Sequence, residues 1–425
     1  MGLALANVPQ LGIPIGWLVF VVAMINGLFG SKNTTFMSMT MAYLATSEVL
    51  WRMLDLSPWI PHEGGKYALI VLAAIGIMRR YRTIQDWPAL PFLMLLSLLP
   101  SLAMLLGRDL SFLREEVIGS LAGPVALALC AIYFNGLRFP KPALTRLALV
   151  LIAPIVSIAT IMVLNLLQTS AAGTLYFGRS SSSLAAAGFG PNQVSNTVAL
   201  GALFCWLLLH HLGNRRLAWV MSGILFVSFA GLGIITFSRG GVYTLVISIV
   251  GTLFIVPDER KSSQLVRNIL LFALFAFAFL TVLWPQIDEL TAGAAAVRYA
   301  DTDTSVRLGI MRVEIELWLD HPLLGVGPGM SRDAIRASGF GASSHTEFTR
   351  LLAEHGIFGV INLILLIAGF LHTYRRAASW RARMCVVACL LYVVGYMVQA
   401  ATRTAAPAFI FGLTWASLFW EADST

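Results

Sequence analysis

Charge is what this chain most lacks. Only 12% of its 425 residues are charged, 58% are hydrophobic, and apolar runs of about 20 residues recur from end to end. That excludes a soluble globule and calls for a polytopic membrane protein. Strict alternation of apolar and polar side chains is also missing, which excludes a barrel of strands. Hydrocarbon offers bare peptide groups no partner, so the continuous runs must be helices. No basic stretch precedes the first apolar run, residues 15–30, so no cleavable leader is expected. Cysteine is sparse: Cys130, Cys205, Cys385 and Cys389 all lie inside apolar runs. Even the last two, which share a helix face, lack the further ligands of a zinc site, so all four read as packing residues. No repeat of fixed period and no matched pair of interrupted helices is visible, which weighs against an alternating-access transporter.

What charge there is has a pattern. Residues 79–82, 138–146, 210–216, 260–267 and 375–383 hold about half of the 29 Lys and Arg. In a soluble protein the net charge of +8 would suggest nucleic acid. Here its distribution orients the chain, and the basic loops face the cytoplasm. The apolar runs are residues 15–30, 36–54, 67–78, 90–106, 117–133, 147–168, 194–212, 217–237, 242–256, 268–284, 348–372, 384–401 and 405–420. They predict an all-α polytopic membrane protein of about 12 transmembrane helices. Either one of the first two runs is not a full crossing or the N-terminus lies outside. Residues 1–425 form a single integral membrane domain, and 285–346 is a long outer segment carrying short helices. The Ser- and Gly-rich stretch 180–190 reads as a flexible outer loop. Glu48 and Arg52, four apart, are expected to pair on one helix face.

The candidate chemistry gathers on the outer side. Arg239 follows an apolar helix and precedes Gly240 and Gly241, which permit close approach of backbone and ligand; its planar guanidinium suits phosphate oxygens. Arg307 opens a stretch, 305–319, with Leu308, Met311, Ile315, Trp318 and Leu319 on one face, a helix expected to lie along the outer leaflet. The run His321-Pro322-Leu323-Leu324-Gly325-Val326-Gly327-Pro328-Gly329 has no Walker lysine and reads as a tight turn rather than a phosphate loop. Ser344 and Glu347 have capping-box spacing, which would place His345 in a helix's first turn, where positive charge is disfavoured and neutral imidazole favoured. Neutral imidazole is what a general base requires. Asp301-Thr302-Asp303 has the spacing used by metal-dependent sugar transferases, but it lies on the side where nucleotide sugars are not normally found, and no metal is expected.

Taken in order, Ser238-Arg239-Gly240, Arg307, the glycine-rich turn, and His345 followed by Leu351, Leu352, Glu354, Gly356 and Gly359 resemble the O-antigen ligase family, whose superfamily includes O-antigen polymerases and protein O-oligosaccharyltransferases. Thr346 departs from the Asn that commonly follows the family's histidine. The resemblance implies a C-type, inverting, metal- and cofactor-independent glycosyltransferase in a bacterial inner membrane, with its active site facing the periplasm. It would move O-antigen from undecaprenyl diphosphate to lipid A-core in lipopolysaccharide biosynthesis, with membrane lipids and no nucleic acid as further partners. His345, Arg239 and Arg307 would be catalytic, and Ser238, Gly240, Trp318 and His321 would join the two arginines in binding substrate. Arg179, Arg298, Arg332 and Arg403 rank below them as anion-attracting residues.

Overall fold

The computed structural model describes residues 1–29, 33–55, 60–109, 117–171, 181–211, 216–255, 262–301, 304–340 and 344–419. Its helices are α1 (Gly2–Asn7), α2 (Gly12–Phe29), α3 (Thr34–Met53), α4 (Ile60–Arg80), α5 (Ala89–Leu96), α6 (Ile118–Phe134), α7 (Lys141–Ala171), α8 (Pro191–His211), α9 (Arg216–Ile235) and α10 (Arg239–Ile255). There follow α11 (Ser262–Ala278), α12 (Trp284–Leu290), α13 (Ala294–Ala300), α14 (Ser305–Asp320), α15 (Ser331–Ala337), α16 (Glu347–His355), α17 (Ile357–Arg376), α18 (Trp380–Ala400) and α19 (Ala406–Thr414).

Among the described residues, six helical stretches are long and apolar enough to cross a membrane: Lys141–Ala171, Pro191–Leu209, Arg216–Ile235, Ile269–Leu290, Ile357–Arg376 and Trp380–Ala400. Gly12–Gly27, Ala89–Leu105, Ile118–Phe134 and Arg239–Leu253 are apolar but shorter. The structure corrects several expected boundaries. The run 348–372 is two helices broken at Gly356, and 90–106 is α5 plus a 3₁₀ stretch, Pro100–Leu105. The run 405–420 forms only the nine-residue α19, buried throughout. Its polypeptide then pairs in parallel with Arg138–Pro140 (β1) through Ser417–Phe419 (β2), so the fold is not strictly all-α. A π-turn, Phe279–Leu283, joins α11 to α12.

Helix α6 has a polar contact at each end, which defines two poles. At its start Ser120 meets Arg350, and at its end the Tyr133 carbonyl accepts from Arg80. The thirteen residue steps between Ser120 and Tyr133 span roughly 20 Å at 1.5 Å per residue. Arg80 and Arg376 both bond to Asn135, so the basic loops 79–82 and 375–383 share one pole with β1 and β2. The other pole gathers the end of α3, the ends of α9 and α18, and the starts of α10 and α19. There Glu48 is fully buried, pairs with Arg52 as expected, and accepts from the Ala405 amide at 2.7 Å. Of the stretch read as a flexible loop, residues 181–190 are docked at this pole: Ala185 and Ala186 are buried, and the Ser182 amide donates to Thr236 at 3.0 Å.

Small residues let α10 approach its neighbours. A Cβ on Gly240 would lie 2.9 Å from Gln399 Oε1 on α18, and one on Gly395 would lie 2.7 Å from Thr244 Oγ1. Such pairs substitute close van der Waals contact for a hydrophobic driving force that lipid does not supply.

The glycine-rich turn is a clasp on α16. The Val326 and Gly327 amides donate to the carbonyls of Ala353 (2.8 Å) and Glu354 (3.1 Å), satisfying groups that a helix end leaves unpaired. Gly325 has φ +68°, and a Cβ there would run into the α16 backbone. Across the break the Ile357 amide bonds to Leu323 at 3.2 Å.

Helix α16 is also the polar hub of the site's pole. Arg350 donates to Glu347 and Ser120 at 2.5 Å and to Glu354 at 3.5 Å; Glu354 accepts from Ser331 at 2.7 Å; and Glu347 accepts from the Thr402 amide at 2.9 Å. Removing one member of a buried ion pair strands the other charge, at a cost of about 3–5 kcal/mol. Arg350→Ala should therefore lower the unfolding midpoint in detergent sharply. The triple variant that also carries Glu347→Gln and Glu354→Gln should recover part of the loss, and an unchanged midpoint in the single variant would contradict the hub.

Candidate functional site

Arg239 is placed by a strained, polar-buttressed turn between α9 and α10. Phe237, fully buried, has φ +56°, a backbone state costing on the order of 1–3 kcal/mol for a bulky residue. The turn is held by the Ser238 amide to Thr236 Oγ1 (3.2 Å), Ser195 Oγ to the Ser238 carbonyl (3.1 Å) and Ser238 Oγ to Asn192 Oδ1 (2.7 Å). Ser238 thus serves the turn, and Gly240 and Gly241 fit against α18 and α8, where a ligand had been expected. Arg239 is the first residue of α10, half-buried, with its guanidinium donating to the Asp301 carbonyl.

Arg307, in the first turn of α14, donates to Gln399 Oε1, the atom against which Gly240 packs. Gln399 therefore ties Arg307 to the start of α10, one residue from Arg239. Arg298 on α13 joins them: its Nε donates to the Phe237 carbonyl at 3.1 Å and it pairs with the Asp301 carboxylate at 3.4 Å. The guanidiniums act on one another. Burial, then Arg239 and Arg298, lower the proton affinity of Arg307; burial, then Arg239, lower that of Arg298.

His345 stands at the same pole. Its carbonyl accepts from the Ala401 amide just beyond α18 (3.2 Å), and the preceding Ser344 carbonyl accepts from Arg403. The expected capping box is absent. Thr346 is the N-cap of α16, its hydroxyl accepting from the Phe348 amide at 3.2 Å, while Ser344 Oγ donates to the Thr346 carbonyl. His345 thus precedes the helix rather than opening it. Its imidazole is neutral for another reason: burial, then Arg403, then Arg307 hold its pKa at about 4. Its Nδ1 is buried with no hydrogen-bond partner among the described residues.

Arg239, Arg307 and His345 therefore gather around residues 399–403 at the end of α18. Trp318 and His321 do not join them. They lie eleven and fourteen residues along α14 from Arg307, roughly 16 and 21 Å at 1.5 Å per residue, with His321 exposed at the helix's far end. Asp301 bonds within the arginine group, while Thr302, Asp303 and Arg179 lie outside the described residues. Among the described residues no three His, Cys, Asp or Glu side chains are grouped to hold a metal. Gln399 went unnoticed in the sequence, although a polar side chain near the end of an apolar helix and four residues before an arginine was a usable signal. Arg298 and Arg403 deserve more weight than the sequence gave them, because helix ends distant in sequence bring them here.

Beneath Arg239 lies an apolar cavity of about 260 Å³ between α8, α9, α10 and α11, lined by Ala199, Phe229, Val242, Leu245 and Phe275 among others. Gly241 and Val242, within one turn of Arg239, form part of its wall. The Ile269–Leu290 stretch flanks it with none of its apolar window buried, as for a peripheral helix facing lipid.

Comparison with known proteins gives one assignment: residues 224–364 match the family model described as O-antigen ligase. That segment includes Arg239, Arg298, Arg307 and His345 and ends before Gln399 and Arg403. No curated protein matches the chain.

If burial and two arginines set the titration of His345, exchange of its ring C2 proton, followed by mass spectrometry, should report a midpoint near 4. Arg403→Gln should move it up, toward the ordinary value of about 6.5. A midpoint already near that value in the unsubstituted protein would contradict the geometry.

Proposed function

We propose that this chain, whose residues 224–364 match the O-antigen ligase family model, is a membrane glycosyltransferase of the ligase/polymerase superfamily and within it the ligase itself. It transfers O-antigen from undecaprenyl diphosphate to a sugar hydroxyl of lipid A-core at the periplasmic face of a bacterial inner membrane. The observation that carries this reading is the meeting of Arg239, Arg307 and a neutral His345 around one helix end, with an apolar cavity whose wall begins within one turn of Arg239.

Each part matches a need of the reaction. A diphosphate is already a good leaving group, so what must be supplied is stabilisation of the charge that grows on it. Crowded, partly desolvated guanidiniums provide that charge without reorganising. The acceptor hydroxyl is a poor nucleophile until its proton is withdrawn, which is the role of His345. The acceptor oxygen bonds to the anomeric carbon, the bond to the diphosphate oxygen breaks with its electrons leaving on the phosphate, and the hydroxyl proton passes to the imidazole. Attack opposite the leaving group inverts the anomeric centre. The carrier's apolar tail has the cavity under Arg239 and the lipid beyond it as its natural place. Arg298 and Arg403 extend the cationic wall, and the basic loops at the other pole accord with a periplasmic site by the positive-inside rule.

The low basicity of His345 in the free protein has a purpose in this scheme. Arg307 is among the groups that depress it, and the donor's diphosphate neutralises those cations, so donor binding raises the base toward its working range.

The test is transfer in vitro, with purified protein, carrier-linked glycan and lipid A-core in chelator. Activity should survive the chelator and pass to lipid A-core. His345→Ala, Arg239→Ala and Arg307→Ala should each lose on the order of 10²-fold or more, as when one preorganised charge-stabilising group is removed. Elongation of carrier-linked glycan without transfer to lipid A-core would make the protein a polymerase; a glycosylated protein acceptor would make it a protein transferase. Uptake into proteoliposomes without transfer would make it a transporter, and chelator-sensitive activity would return attention to Asp301 and Asp303.

A further inference from the structure

Glu314 is a buried carboxyl for which the proposed chemistry has no use. It lies seven residues, two helical turns, beyond Arg307 on α14 and is fully buried, as is Ile310 between them, so this face of the helix packs inward against α16. Glu314 Oε2 accepts a hydrogen bond from Thr349 Oγ1 on α16, while Oε1 is buried with no hydrogen-bond partner among the described residues. Ser344 lies within electrostatic reach of the same carboxyl, its own hydroxyl committed to the Thr346 carbonyl at 2.9 Å. Glu314 thus bonds to one end of the short stretch, 344–349, that carries His345, and acts electrostatically on the other.

Among the described residues no cation bonds to this carboxyl directly. Arg350 on α16 acts on it favourably but is committed to Glu347 and Glu354, and Glu354 acts against its ionisation. From α15 the buried neighbours are Ser331 and Ile335, neither titratable; the half-buried Arg332 acts on Arg403, and Asp333 and Arg336 are exposed and pair with each other. On its own helix Arg307 is taken by Gln399, and Arg312 pairs with Glu316 in solvent. An ionised Glu314 would be a poorly compensated buried charge, which is costly, whereas the neutral acid fits. Burial is accordingly the main cause, with Glu354 adding to it, of a pKa raised to about 7; the Thr349 and Ser344 hydroxyls and Arg350 act in the opposite direction.

We propose that Glu314 is a positioning residue: its neutral carboxyl locks the His345-bearing stretch to α14, in register with Arg307, and its ionisation releases that lock. The proposal deepens the transferase reading and rests on it for its catalytic consequence, though the lock is a property of the protein alone. The sign follows from proton linkage. The folded state retains a proton that the unfolded chain would release, so the lock is intact at low pH and is lost as pH rises through about 7. Release would let His345 drift from the acceptor hydroxyl, and misplacement of a base by about 1 Å costs on the order of 10²-fold in rate.

Two measurements separate this proposal from the transferase reading. Hydrogen exchange of the amides of residues 344–349, corrected for the intrinsic effect of pH, should accelerate in the unsubstituted protein as pH rises from the ordinary carboxylate range toward about 7, and level off above it. The rise should be on the order of tenfold or more, since one pKa unit is worth a factor of ten in the opening equilibrium. Glu314→Gln, which cannot ionise, should abolish the step, and Thr349→Val should raise exchange there at every pH. In the transfer assay kcat should fall above the same pH in the unsubstituted protein and not in Glu314→Gln, with KM for donor little changed. Exchange at 344–349 that shows no step, or the same step in Glu314→Gln, overturns the lock. An exchange step that Glu314→Gln removes, in a protein that transfers no glycan, supports the lock and refutes the transferase reading instead. An alkaline fall in kcat of equal size in both proteins overturns the catalytic role of Glu314.

Discussion

Like charges crowded together in a poorly solvated place are the constraint on which this structure depends. Besides burial, Arg239 depresses the proton affinity of Arg298, Arg239 and Arg298 depress that of Arg307, and Arg403 and Arg307 depress that of His345. Such an arrangement costs energy in the free protein, and an anion bearing two or more charges would relieve it. The strained Phe237 turn, the small residues that let α10 lie close on α8 and α18, and the Gln399 bond are devices that hold the charges together against their repulsion.

The rest of the fold keeps this group at one end of the bundle. Helix α16 is decisive because it carries no reacting group yet bonds to almost everything near one. Its ion network reaches α6, α15 and the α18–α19 connection, the glycine-rich turn clasps its C-terminal end, and its N-terminal side packs on α14 through Thr349 and Glu314. His355, at its end, is a structural partner of Ser101 at 2.6 Å, and burial and Arg350 hold it neutral. The protein thus separates a support that is polar and buried from a proposed reacting surface that is cationic and half-buried.

Much of this was legible in the sequence, and the failures have physical causes. Runs of apolar residues announced helices in lipid, and the pairing of Glu48 with Arg52 followed from four-residue spacing alone. Spacing could not show where a run breaks. The interruption at Gly356 depends on a docking turn thirty residues earlier, and the short α19 depends on a strand partner at Arg138–Pro140. The neutrality of His345 was anticipated for the wrong reason, since a helix dipole is local and visible in sequence whereas Arg403 reaches the imidazole only through the fold. Trp318 and His321 were expected to join the arginines through the resemblance, yet eleven and fourteen residues beyond Arg307 become distance along the helix axis. Gln399 and Glu314 were missed because each acquires its role from a partner on another helix.

In the proposed function these features are united by one electrostatic relation: the arginines would keep His345 from holding a proton until a diphosphate donor binds. The direct measurement is the titration of His345 by exchange of its ring C2 proton, in protein saturated with an undecaprenyl diphosphate that carries no glycan and in protein without it. The account requires the midpoint to rise from about 4 by a unit or more when the diphosphate is bound, and to rise much less with undecaprenol, which has the tail without the charge. An unmoved midpoint with the diphosphate fully bound would mean that cations and imidazole do not serve one reaction.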